Sequence, residues 1–144
     1  MLTDEYVSEK FAEGIDCSML VLAEVSDELG ITKEEAYRVA SCFGAGMLTG
    51  GVCGAVTGAF IALGYKYGNS ELNDIAQKAV VISKRDELVE RFAKMHGGVD
   101  CPVILGADLR IPKERDFARK NGLINNKCPA FCRTAAEILK DLIR

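Results

Sequence analysis

Phe43-Gly44-Ala45-Gly46-Met47-Leu48-Thr49-Gly50-Gly51-Val52-Cys53-Gly54-Ala55-Val56-Thr57-Gly58-Ala59-Phe60 carries no charge and holds one cysteine, with four glycines before it and two after. Gly44, Gly46, Gly50 and Gly51 favour a loop, because glycine reaches backbone angles that other residues avoid and weakens a helix interior. From Val52 to Tyr67 small and apolar residues continue without proline, which predicts a helix with Cys53 in its first turn. The unpaired N–H groups and dipole of a helix start favour negative charge. Cys53 is therefore expected to be an acidic thiol, apt as nucleophile or metal ligand. Gly50, Gly54 and Gly58 recur every four residues beside Ala55, Ala59 and Ala62, a smooth face for close helix packing. The run from Phe43 to Tyr65 is long enough to span a bilayer. Its glycine content and its lack of flanking Lys/Arg asymmetry or an aromatic belt favour a buried helix instead.

The 144-residue chain is 49% hydrophobic and 27% charged, which places it among globular proteins and predicts one domain. A net charge of −3 argues against a nucleic-acid or anionic-membrane surface. The acidic start, Met1-Leu2-Thr3-Asp4-Glu5, lacks the pattern of a signal peptide, so a cytoplasmic location is expected. In that compartment six cysteines read as thiols, metal ligands or redox groups rather than a disulfide framework. One histidine, His96, is too few for a His-based zinc or haem site; beside Gly97 and Gly98 it reads as a surface or capping residue.

Helical signals fill the chain. Thr3 caps a helix from Asp4 to about Glu13, ended by Gly14. Asp16 caps the next, which starts with Cys17 and stops at Gly30. Thr32-Lys33-Glu34-Glu35 has the form of a capping box and opens a third helix that runs to about Cys42. Ser70 is expected to open a long amphipathic helix through Leu72, Ile75, Ala79, Ile82, Val89 and Phe92, closed by Gly97-Gly98. Cys101-Pro102, Ile111-Pro112 and Cys128-Pro129 each place proline where a first helical turn accepts it. No alternating strand pattern competes. The expected fold is an all-α, single-domain bundle of about six or seven helices around a central Gly/Ala-rich helix.

Cys17, Cys53, Cys101 and Cys128 are thus all predicted at N-terminal edges of helices. Four such edges aimed at one point would make a pocket suited to thiolates, a thiolate-bound metal or an iron–sulfur cluster. Four separate buried or capping residues are the alternative. Cys42, at a helix end, and Cys132, one turn after Cys128, read as packing residues. Tyr65 and Tyr67 are expected to pack rather than react.

With Cys53-Gly54-Ala55-Val56-Thr57-Gly58, Cys17 upstream, Phe43-Gly44-Ala45-Gly46-Met47 as the glycine loop, and Cys101 and Cys128 downstream, the sequence resembles the C-GCAxxG-C-C family of small bacterial and archaeal domains. The resemblance covers nearly the whole chain. Leu48-Thr49-Gly50-Gly51-Val52 stands where many members carry a basic loop residue. The resemblance implies redox activity through Cys17, Cys53, Cys101 and Cys128, as thiol/disulfide or metal-liganding groups. It also implies a cofactor-facing role for Gly44, Gly46, Gly51 and Gly54. Similar domains occur joined to haem-binding segments, which fits electron transfer, but this chain has no Cys-x-x-Cys-His haem attachment sequence. Three functions stand open: thiol redox chemistry with an unidentified redox partner, a metal or iron–sulfur centre, and a helical interaction module that pairs with a partner or a second copy.

Overall fold

The computed structural model describes residues 2–144. Among these residues the regular structure is helical, and the one β-type pairing is an isolated antiparallel bridge between Val52 and Asp100. Among the described residues nine α-helices and one π-type turn (Gly46–Gly50) form, where six or seven helices were expected: α1 Asp4–Ala12, α2 Cys17–Glu24, α3 Ser26–Leu29, α4 Lys33–Ala40, α5 Gly54–Tyr67, α6 Ile75–His96, α7 Cys101–Leu105, α8 Pro112–Lys120 and α9 Leu123–Leu142.

The Thr3, Asp16 and Thr32 capping signals act as read. The Thr3 hydroxyl accepts from the Tyr6 N–H at 3.1 Å. In the Thr32 capping box, the Glu35 N–H donates to the Thr32 hydroxyl at 3.0 Å, and the Thr32 N–H donates to the Glu35 carboxylate at 2.9 Å. The helix expected to run from Cys17 to Gly30 is broken at Val25 into α2 and α3, and Gly30 ends α3 in the left-handed region at φ 72°. The chain turns out of α4 at Ser41, so Cys42 lies exposed beyond the helix.

Two helix starts differ from expectation. α6 begins at Ile75 rather than near Ser70, because Asp74 supplies the cap by accepting from the Gln77 N–H at 3.0 Å. Leu72 and Ile75 are 95% and 75% exposed, so the apolar stripe of α6 enters the core only from Leu88 and Phe92 onward. α9 begins at Leu123 behind a left-handed Gly122, which leaves Cys128 and Pro129 inside the helix rather than at its start. Pro129 cannot donate to the Asn125 carbonyl. Asn125 is exposed, so water can serve that carbonyl while the proline ring is fully buried.

α5 packs against α2, α6 and α9, and Ala55, Val56, Ala59, Ala62 and Leu63 are buried. Its last turn, Gly64 to Lys66, is open to solvent, so the helix is not enclosed along its whole length. The Tyr67 hydroxyl donates to the Leu142 carbonyl and ties α5 to the end of α9, while Tyr65 is half exposed. Val7, Leu20, Val21, Val56, Leu88, Phe92 and Leu139 belong to one continuous apolar core. Among the described residues no helix is long and apolar enough to cross a membrane.

Candidate functional site

Gly54 and Gly58 present α2 with bare backbone, and the N-terminal end of α2 presses directly onto them. A Cβ at Gly54 would collide with the Cys17 sulfur and stand 2.8 Å from the Gly44 α-carbon. A Cβ at Gly58 would stand 2.5 Å from the Ser18 carbonyl oxygen. Gly44 in turn leaves room for the Asp16 carboxylate. Asp16 caps α2, weakly toward the Met19 N–H at 3.4 Å, and accepts from the Ser18 hydroxyl at 2.9 Å. Three glycines thus seat the Asp16-Cys17-Ser18 segment.

The glycine loop gets from α4 to α5 through consecutive left-handed residues: Ala45 (φ 50°), Gly46 (φ 67°), Met47 (φ 62°) and Leu48 (φ 60°). Gly46 and Gly51 then meet back to back, with the Gly51 N–H donating to the Gly46 carbonyl at 2.8 Å. Beyond this point the bridge pairs two cysteine-bearing strands of chain. The Cys53 N–H donates to the Val99 carbonyl at 2.7 Å, and the Cys101 N–H donates to the Gly51 carbonyl at 2.8 Å. Cys53 is thereby held at the N-cap of α5 and Cys101 at the first residue of α7. Cys128 reaches the same region from the second turn of α9.

Cys17, Cys53, Cys101 and Cys128 line one cavity of about 250 Å³. Its remaining wall is largely apolar, with Phe11, Ile15, Leu105, Ile124 and Phe131 among the lining side chains. Gly54 also lines it, whereas Gly44, Gly46 and Gly51 do not; the close approaches above account for those three. Cys53 and Cys101 are buried, while Cys17 and Cys128 keep some accessible surface. All six cysteines are free thiols.

Burial governs the titration of these thiols. It pushes Cys17 up to about 11, a rise that the Ala45 and Ser18 N–H groups only partly oppose. Cys53 and Cys128 are driven well up, first by burial and then by the nearby Cys17. Cys101 is raised by burial and then by the Asp108 carboxylate. The acidic Cys53 expected from its helix-start position is therefore overturned. A helix terminus contributes about 0.3–1 kcal/mol, less than one pKa unit, whereas burial can shift a group by roughly 3–5 units. The Ala55 N–H eases the rise at Cys53 without making a capping hydrogen bond.

The thiols do not make a metal centre in this geometry. Among the described residues no three His, Cys, Asp or Glu side chains come together as a group able to hold a metal ion. Four thiols would suit a soft metal chemically, but their placement around a cavity does not fit the ligand set expected from the sequence.

Over residues 15–142 the sequence matches the C_GCAxxG_C_C family, described as "Putative redox-active protein". The chain belongs to the C_GCAxxG_C_C family. No curated protein and no solved structure matches it. Membership of the C_GCAxxG_C_C family does not reveal the bridge that draws Cys53 and Cys101 together, nor two further features. Cys132, fully buried in the core, lies near enough for charge on Cys17, Cys53 or Cys128 to raise it. His96 is not a bare surface cap: its Nε2 is 2.8 Å from the Thr134 hydroxyl, and its ring lies 4.8 Å from both Phe92 and the cavity-lining Phe131. The i,i+4 spacing of Cys128 and Cys132 was a visible signal for the first feature; nothing local signalled the second.

Proposed function

We propose that this chain is a thiol redox protein whose working groups are Cys17, Cys53, Cys101 and Cys128. In its reaction two S–H bonds break, one S–S bond forms, and two electrons and two protons pass to an acceptor. The observation that carries this reading is that four thiols from separate parts of the chain open on one cavity. Scattered structural cysteines have no reason to share a cavity. The description of the family as redox-active supports the same reading. Cys17 is the shared neighbour: its charge bears on Cys53 and Cys128, and charge on Cys101 bears on it. Its sulfur also touches Gly54, the residue next to Cys53. Cys17 and Cys53 are therefore the first pair to join, with Cys101 and Cys128 available for exchange onto that disulfide.

Mild oxidation of the reduced protein with diamide, followed by alkylation and peptide mapping, tests this. The expected product has lost two thiols and contains a disulfide that includes Cys17. Oxidation that leaves all four cavity thiols free, or that joins only Cys42 residues between chains, would overturn the reading.

A further inference from the structure

We propose that the thiol-lined cavity binds a small uncharged quinone, which takes the electrons of the dithiol. This rests on the thiol redox reading and adds the acceptor to it. The first support is size. A cavity of 150 Å³ lined by apolar side chains holds benzene, so about 250 Å³ admits a substituted single ring. A dinucleotide or a peptide thiol calls for a larger pocket.

The second support is charge. Among the described residues no Lys, Arg or His lines the cavity, and apart from the thiols the one ionisable lining group is Asp16. An anionic acceptor would leave water for a site with a carboxylate and no counter-charge, which is costly. A neutral ring meets Phe11, Phe131, Ile15 and Ile124 instead, and aromatic rings pack favourably on aromatic walls. Gly54, the first residue of α5, also faces the cavity, and the first N–H groups of a helix lack intrahelical partners. The Ala55 N–H is turned toward the Cys53 sulfur and the Val56 N–H donates to the Cys53 carbonyl, so the Gly54 N–H is the donor left for a carbonyl oxygen, which a plain hydrocarbon would leave unused.

The third support is balance. Two thiols lose two protons and two electrons as their S–S bond forms. A quinone accepts two electrons and two protons and leaves as the hydroquinone. No further proton donor is required in an apolar site.

Anaerobic mixing of the reduced full-length protein with tetramethyl-1,4-benzoquinone tests the proposal, because its fully substituted ring disfavours thiol addition. The charged control is the same ring with one methyl extended to a carboxylate arm. The expected result is one hydroquinone per two thiols lost, at least tenfold faster with the neutral quinone. Ile124→Trp, which fills the cavity, should slow that reaction at least tenfold. Leu109→Trp serves if the first variant does not fold. Equal rates for neutral and charged quinones, or no effect of filling the cavity, overturns the proposal. Pairing by diamide without any quinone reaction overturns it while leaving the redox reading intact. Failure of both oxidants removes the redox reading as well.

Discussion

The sulfur of Cys17 packs over Gly54, so closely that a Cβ at position 54 would collide with it. The glycine of the Cys-Gly-Ala motif is thus needed by a cysteine far from it in sequence. Cys53 is seated at the head of α5, and Cys17 arrives over the next residue, which brings the two thiols to one cavity wall.

Gly54→Ala should therefore destabilise the protein by about 1–3 kcal/mol, the usual range for overpacking, and Gly58→Ala by a similar amount through its contact with the Ser18 backbone. Gly64→Ala in the same helix is the control. It is exposed, and nothing lies within 4 Å of its added Cβ, so it should stabilise by roughly 0.5–1 kcal/mol. Thermal melts of the three variants check the contrast. Equal shifts would show that close approach is not what selects these glycines.

Leu48 carries a different kind of cost. Its φ of 60° is left-handed, while its side chain is 65% exposed and packs little. Relief of left-handed strain is worth about 1–2 kcal/mol, against an entropic loss of about 0.5–1 kcal/mol for glycine. Leu48→Gly is expected to raise stability by several tenths of a kcal/mol to about 1 kcal/mol, measured by denaturant titration. A lower midpoint would mean that Leu48 contributes packing not visible in its exposure.

Alkylation of the native, reduced protein at neutral pH should label exposed Cys42 first and leave Cys53 and Cys132 nearly untouched. The thiols also make the fold sensitive to alkali. The folded value of Cys17, about 11, lies above its ordinary 9.0. Its contribution to stability is thus fully present below pH 9 and is lost as pH rises through about 11. Cys17→Ser should flatten the fall in melting temperature over that interval. An unchanged alkaline slope, or Cys53 labelled as fast as Cys42, would contradict the burial of the site.

His96 predicts the acid side. Burial lowers its pKa from the ordinary 6.5, so the neutral ring is favoured in the fold. The stabilisation is present above pH 6.5 and is lost as pH falls through the depressed folded value. His96→Gln is expected to lower stability at pH 7.5, through loss of the ring contacts with Phe92 and Phe131, and to reduce its further fall toward pH 5. Melting curves at the two pH values separate these effects. An identical acid slope in the variant would exclude His96 as its source.

Much of the helical map was legible locally because caps act over three or four residues. Thr3, Asp16 and the Thr32–Glu35 pair announce their helices from side chains that bond to the nearest N–H groups. The same locality misled at Ser70, where Asp74 was the cap that formed, and at Cys128, where proline suggested a start but lies inside α9. A buried proline ring and an exposed carbonyl partner made the longer helix acceptable, and both depend on what surrounds that turn.

The sequence by itself determined that the chain is helical, where several helices begin, and to which family it belongs. Tertiary structure decided what kind of thiols they are. Cys17, Cys53, Cys101 and Cys128 reach one cavity through a glycine contact and a two-bond bridge between distant segments, neither of which has a local signature. Their acidity followed from that assembly rather than from position on a helix. Desolvation depends on every group that packs around a thiol, and here it outweighed the dipole of the helix beneath Cys53.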